Sequence, residues 1–246
     1  MAASLVVNEI YLSLQGESTC AGLPCVFVRL TACPLRCSYC DTAYAFTEGK
    51  RRPLDEILTE VQRLAAPFPP APGEGGHRLP LVELTGGEPL AQPNALPLMA
   101  ALADAGFTVL LETSGALDIA RVDPRVRRIV DVKCPGSGEA GRNRLENLPL
   151  LRPTDEVKFV LGSREDYAWA RAFLVEHRLP GVCPILFSWV HPLVPEQQHP
   201  SLKRMPAGHT PMSRLELVEA ILADALPVRF QLQMHKLLWP PEQRGV

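Results

Sequence analysis

The sequence predicts an α/β fold on a parallel sheet: an incomplete (β/α) barrel of about six parallel strands with some crossover helices shortened or lost. Short apolar strands alternate with amphipathic helical stretches along all 246 residues. Polar and glycine clusters fall where strands end, not where they begin. Helical periodicity is weak between Gly115 and Arg128 and again between Pro135 and Glu156.

In chain order, Leu5 to Leu14 reads as an opening strand and Gln15-Gly16-Glu17 as a turn. Cys25 to Leu30 is β-branched and aromatic, the first clear strand, and runs into a cysteine-rich loop. Pro53 is placed to open a helix from its first turn, with Leu54, Ile57, Leu58, Val61 and Leu64 as one apolar stripe. Residues 67–80 are too rich in Pro and Gly to continue it and form a loop or insertion. Leu81 to Leu84 is a buried strand ending in Thr85-Gly86-Gly87-Glu88-Pro89. A helix over about Pro93 to Ala105 stops at Gly106.

Further strands are expected at Phe107 to Leu111, Ile129 to Val132, Val157 to Val160, Cys183 to Phe187 and Val228 to Gln233. Ser163 caps a helix whose inner face carries Tyr167, Ala170, Phe173 and Leu174. The segment 191–212 is a second Pro-rich loop. Ser213-Arg-Leu-Glu216 is a capping box opening a helix that runs to about Leu226.

The 246 residues, 46% hydrophobic, suit one α/β domain or two small ones. We read residues 1–246 as a single domain. A net charge of −2 with interspersed signs points to neither nucleic acid nor an anionic membrane surface. No run approaches a membrane span, and the N-terminus lacks the basic start and apolar stretch of a secretory signal. Seven cysteines without a framework of even pairs fit a reducing compartment, so a cytoplasmic location is expected.

The chemistry is concentrated in Cys33-Pro34-Leu35-Arg36-Cys37-Ser38-Tyr39-Cys40-Asp41-Thr42, with three cysteines in eight residues. Their spacing is too tight for convenient disulfides, and an odd number leaves one over, so a metal site is the first expectation. Structural zinc prefers four closed ligands, and no second CxxC pair or HxxxH follows. A four-iron cluster usually takes four thiolates, so three leave one iron open. Cys20, Cys25, Cys134 and Cys183 are expected as small core residues, with Cys134 a distant fourth ligand if the metal were zinc.

CxxxCxxC with Tyr39 before the last cysteine resembles the signature of the radical S-adenosylmethionine enzymes. The resemblance implies a [4Fe-4S] cluster on Cys33, Cys37 and Cys40 whose open iron is chelated by S-adenosylmethionine, and reductive release of a 5′-deoxyadenosyl radical. Gly86-Gly87-Glu88-Pro89 resembles the family's GGEP motif beside the methionine part of the cofactor. Glycines let backbone approach a charged ligand, and acidic acceptors suit an ammonium. The same resemblance implies cofactor contacts at Ser38, Tyr39, Cys40, Asp41, Gly87, Glu88, Asp131, Val132, Lys133, Phe187 and Ser188.

Asn8-Glu9, Ser13 to Glu17, Arg29, Cys40-Asp41-Thr42 and Gln233-Met-His235-Lys236 together resemble the 7-carboxy-7-deazaguanine synthase family over nearly the whole chain. That likeness implies ring contraction of 6-carboxy-5,6,7,8-tetrahydropterin on the route to queuosine, with Mg²⁺ on Thr42. It implies substrate contacts at Leu14, Gln15, Gly16, Glu17, Arg29, Thr85, Gln233, His235 and Lys236, and no catalytic side chain, the radical coming from S-adenosylmethionine. A homodimer and a flavodoxin-type reductant are implied as partners. Two other readings share parts of the pattern. One is an activating enzyme for a glycyl-radical protein; the other is a zinc-stabilised binding module without enzymatic activity.

Overall fold

The computed structural model describes residues 3–70 and 76–246; residues 71–75, inside the Pro/Gly-rich stretch expected as a loop at 67–80, lie outside the described residues. The strands are β1 (Ser4–Leu14), β2 (Pro24–Leu30), β3 (Lys50–Pro53), β4 (Leu81–Gly86), β5 (Val109–Thr113), β6 (Arg127–Asp131), β7 (Glu156–Leu161), β8 (Ile185–Trp189) and β9 (Arg229–Gln231). The helices are α1 (Leu54–Ala65), α2 (Ala95–Asp104), α3 (Arg164–Glu176), α4 (Arg214–Ala223) and α5 (His235–Leu238). One sheet joins the strands in the order β3-β1-β2-β4-β5-β6-β7-β8-β9.

Adjacent strands from β2 through β4 to β9 pair in parallel, seven in all against the expected six or so. β1 runs antiparallel to both β2 and β3. Among the described residues no ladder joins β3 to β9, so the barrel is incomplete, as expected. β3 was not foreseen, because Lys50-Arg51-Arg52-Pro53 has no apolar alternation. Its pairing with Ser4–Val7 makes Pro53 the extended last residue of a strand, so α1 starts one residue later, at Leu54.

Alternation along the strands sorts side chains into two environments. Val26, Val28, Leu30, Val82, Leu84, Val109, Leu111 and Val130 face outward into a core closed by Ile57 and Val61 of α1 and Leu98, Met99 and Leu102 of α2. Inside the curve, Cys25, Phe27, Leu81, Leu110 and Ile129 pack with Cys20 and plug the N-terminal end of the barrel. One inward position further on, each of these strands turns polar: Arg29, Glu83, Glu112 and Asp131, with Thr85 beyond Glu83, line a cavity at the C-terminal edge. The interior therefore grades from dry to charged along the strand direction.

The helix ends follow their caps. Ser163 Oγ accepts from Asp166 N at 3.0 Å, and Ser213 and Glu216 satisfy each other's backbone donors at 3.2 and 2.8 Å. The two connections with weak helical signal contain no α-helix, and the second is three short 3-10 turns. A buried ionic group fastens them instead. Arg128 lies 2.5 Å from Asp155 and donates to the carbonyls of Ile119 and Leu150; Arg152, also paired with Asp155, donates to those of Pro124 and Val126.

Removing one partner of such a pair leaves an uncompensated buried charge. Asp155→Ala is expected to cost about 3–5 kcal/mol in denaturant unfolding. Burial alone raises the Asp155 carboxyl, but the hydrogen bonds from Arg128 and Arg152 outweigh it and hold it below the usual carboxylate range. Its stabilisation is present in full above the unfolded value of about 3.9 and is lost as pH falls through the lower folded value. The variant should therefore lose less stability on acidification than the parent, measured by circular dichroism.

Candidate active site

The loop after β2 presents Cys33, Cys37 and Cys40 to the cavity, which has a volume of about 540 Å³. All seven cysteines are free thiols, so none is withdrawn into a disulfide. Burial pushes Cys33 up to about 11, against the hydrogen bond from Leu35 N, and Cys37 up to about 12, against the pull of the Lys133 ammonium. Such thiols are neutral near pH 7, and a bound metal would stabilise their ionised form. Among the described residues no three His, Cys, Asp or Glu side chains are arranged to hold a single metal ion, the geometry a mononuclear zinc site needs. Cys134 is fully buried in the outer core and does not line the cavity. Nearby, Tyr39 Oη and Asp131 Oδ1 are buried without hydrogen-bond partners on the cavity wall. Orphaned polar atoms beside three thiols on the wall of one cavity fit a cluster with a polar organic ligand.

The glycines after β4 serve the thiols indirectly. Gly86 has φ +128°, and a Cβ there would lie 2.2 Å from the carbonyl oxygen of Leu30; one on Gly87 would lie 2.0 Å from that of Ala32. Close approach is thus to the chain's own backbone just before Cys33. Gly87 N donates to Leu30 O at 3.0 Å and Glu88 N to Ala32 O at 2.8 Å, extending the parallel ladder to the cysteine loop. Glu88 corrects an expectation. It is fully buried, off the cavity, and accepts from Leu90 N, Thr113 Oγ1, Ser114 N and Ser114 Oγ, so its oxygens brace β4 against β5 and are not offered to a ligand.

The inward charges meet at Lys158, which is 3% exposed. Its ammonium pairs with Glu112, lies 3.3 Å from Glu17 and 3.9 Å from Asp131, while Lys133 lies 2.7 Å from Asp131. Burial disfavours the charge, but Glu112 and then Glu17 outweigh it and hold Lys158 protonated. Glu83, fully buried, is driven well above the carboxylate range by burial and by Glu112. Glu83, Glu112 and Lys158 all line the cavity and were missed in the sequence. Glu83 sits two residues before Thr85, and Lys158 stands between the apolar Val157 and Phe159, so inward spacing could have found them.

Several expected contacts are redirected. Gln15 reaches the cavity, but its Oε1 accepts the N–H groups of Glu17 and Ser18 at 2.9 Å and its Nε2 donates to Glu83 at 3.1 Å, so its side chain shapes the turn. Ser38 is off the cavity, donating to Gly136 O and Ser137 O. Val132 and Phe187 point into the outer core, Phe187 against Phe159 and Tyr167, leaving ligand contact to main chain alone. Ser188 faces inward on β8 with its hydroxyl buried and unpartnered, below the cavity lining.

Lys236 is also corrected: its ammonium is buried against Asp41 at 2.5 Å and Gln233 Oε1 at 2.7 Å, and does not line the cavity. Gln233 Nε2 in turn bridges Glu17 Oε1 and Asp41 Oδ2, each at 3.1 Å. Burial raises the Asp41 carboxyl, but Lys236 and the bonds around it dominate and hold it well below the carboxylate range. Leu14, Gly16, Glu17, Arg29, Thr42, Thr85, Gly87, Asp131, Lys133, Gln233 and His235 all line the one cavity, with Tyr39, Asp41 and the three thiols.

Since Gly87 has no room for a methyl group against Ala32, Gly87→Ala should displace the cysteine loop and lower severalfold the iron bound per chain after anaerobic reconstitution with iron and sulfide. Gly141→Ala, where a Cβ meets nothing within 4 Å, should bind as the parent does.

Residues 28–135 match the model of the radical SAM superfamily. The 7-carboxy-7-deazaguanine synthase of Koribacter versatilis is 46% identical over 242 residues, spanning 98% of this chain and 99% of that protein. The synthase of Chlorobaculum tepidum is 42% identical over 247 residues, spanning 99% and 98%. The crystal structure of QueE from Escherichia coli shares the fold with a TM-score of 0.66 at 21% identity, covering 94% of each chain. On 46% and 42% identity over nearly the full length of these relatives, and three thiols lining one cavity of an incomplete parallel barrel, this chain belongs to the 7-carboxy-7-deazaguanine synthase family of the radical SAM superfamily.

Proposed function

We propose that this chain converts 6-carboxy-5,6,7,8-tetrahydropterin to 7-carboxy-7-deazaguanine with loss of ammonia, on the route to queuosine and related 7-deazapurines. The observation that carries this is the bridge made by Gln233. It joins Glu17 of the Gln-Gly-Glu turn to Asp41 of the Cys-Asp-Thr segment, at the mouth that also holds the three thiols. An activating enzyme for a glycyl-radical protein, or a zinc module, has no need of that convergence.

As a radical SAM protein the chain uses a [4Fe-4S] cluster and S-adenosylmethionine. When bound, these supply a hydrogen-abstracting 5′-deoxyadenosyl radical; the chain's residues bind, orient and exclude water. Cys33, Cys37 and Cys40 would hold the cluster. Tyr39, Gly87, Asp131 and Lys133 would receive S-adenosylmethionine, with the unpartnered Asp131 Oδ1 suited to a ribose hydroxyl.

On the substrate side, Arg29 is locked by Glu9 at 2.7 Å and by the Tyr11 hydroxyl at 2.9 Å, and its charged fork suits the carboxylate. Glu17 and Glu112, gathered by Lys158, offer acceptors for an aminopyrimidine edge, with Leu14, Gly16, Thr85 and His235 completing the walls. Thr42 would take Mg²⁺. It lines the cavity, and Asp41 beside it is already neutralised by Lys236, which leaves the hydroxyl and substrate oxygens for a cation that keeps several waters.

One continuous sheet supports a single domain over 1–246. Exposed Leu215 and Leu222 on α4 and Leu237 and Leu238 on α5 support a homodimer. A flavodoxin-type reductant and a cytoplasmic location complete the reading; no helix of the described residues is long and apolar enough to cross a membrane.

Anaerobically reconstituted protein incubated with pterin, S-adenosylmethionine, dithionite and Mg²⁺ should yield 7-carboxy-7-deazaguanine by mass spectrometry, and less without Mg²⁺. Deoxyadenosine without the deazapurine rejects the substrate. Losing a charge-assisted bond worth about 1.5–3 kcal/mol, Arg29→Gln should raise KM for the pterin about 10- to 100-fold. Its KM for S-adenosylmethionine should hold steady.

A further inference from the structure

The cysteine loop is gripped at its middle by a carboxylate from far along the chain. Glu139, only 5% exposed, accepts the backbone N–H of Arg36 at 2.7 Å, and its other oxygen lies 2.9 Å from Lys203 Nζ. Lys203, from the Pro-rich segment 191–212, donates its own backbone N–H to Arg36 O at 2.9 Å and its ammonium to Gly138 O at 2.7 Å. Both main-chain groups of Arg36, the residue before Cys37, are therefore held by two residues that pair with each other.

The surroundings are shaped for this clamp. Gly138 has φ +72°, and a Cβ there would lie 2.9 Å from Lys203 Cδ, so only glycine lets the lysine stem cross the turn. The Arg36 side chain folds back to donate to the carbonyls of Cys33 and Leu35, each at 2.7 Å, with its guanidinium 4.1 Å over the Phe46 ring. The stretch between Cys33 and Cys37 has no helix or strand to fix it. Its amide bonds to a buried carboxylate replace the ladder that regular structure would supply.

We propose that Glu139, backed by Lys203, is a positioning residue that sets the separation of Cys33 and Cys37 for the iron–sulfur cluster. This rests on the three thiols holding that cluster. Glu139 does not line the cavity; it acts through the Arg36 amide. Neither the cysteine motif nor the substrate segments contain it.

The test compares the parent with E139A, E139Q and K203A after anaerobic reconstitution. Readouts are iron per chain, the rate of iron loss to a chelator, and the electron paramagnetic resonance spectrum of the reduced cluster with and without S-adenosylmethionine. E139A should lose iron severalfold faster and show an altered spectrum. E139Q should stay near the parent, because an amide oxygen accepts the same N–H, and K203A should fall between. E139A indistinguishable from the parent overturns the proposal, as does E139Q impaired as deeply as E139A. Thermal melts of the cluster-free proteins check folding. If E139A does not fold, K203A decides, and unchanged iron retention and spectrum there overturn the clamp. A parent that takes up no iron refutes the cluster assignment itself.

Discussion

Lys158 is an ammonium enclosed by protein on the inner face of β7, and the active end of the barrel is arranged to make that tolerable. An unpaired charge in such a place costs several kcal/mol. Three carboxylates from three different elements surround it: Glu17 from the turn after β1, Glu112 from β5 and Asp131 from β6. Each carries the network outward. Asp131 takes Lys133 beside the thiols, and Glu17 takes Gln233, which reaches Asp41 and so Lys236 of α5. A segment near the end of the chain is thereby held against the cysteine loop by charge and hydrogen bonds.

The inward charges are concentrated at one end; Glu156, in register with Ile129, is buried at the other and is satisfied by Thr19. The N-terminal half of the barrel is a dry plug of Cys20, Cys25, Phe27, Leu81, Leu110 and Ile129, and the outward faces are continuously apolar under α1 and α2. The parallel register makes polarity rise layer by layer, setting Cys25 beside Leu81, Phe27 beside Glu83 and Arg29 beside Thr85 in successive inward layers. Polar side chains are thus delivered at a common height, the C-terminal edge, where the loops can add their own groups.

The cysteine loop has little regular structure and borrows its shape from neighbours on both sides. Gly86 and Gly87 let the end of β4 run against Leu30 and Ala32 at distances no side chain tolerates. On the other side, Ser38 is tied to the turn at Gly136 and Ser137, and Arg36 to Glu139 and Lys203. Motif residues assigned to ligand contact, Glu88 and Ser38 among them, spend their side chains on neighbouring backbone and hydroxyl groups. In a site of this kind many polar groups near the chemistry are spent on fixing backbone.

What the sequence determined by itself was local: the spacing of three cysteines, the alternation that gives strands, the stripe of α1, the caps at Ser163 and Ser213, and the absence of helix where periodicity fails. These depend on neighbours a few residues apart, and so does the placement of functional segments at strand ends. Tertiary structure alone decided which polar side chain meets which. Lys236 was read as a substrate cation and is the partner of Asp41; Gln15 was read as a pterin contact and spans its own turn and Glu83; Phe187 lies on the outward side of β8. Glu83, Glu112 and Lys158 were legible as inward positions but not as one network, because that requires the register between strands. Period tells which face a residue takes; only the folded sheet tells what stands opposite it.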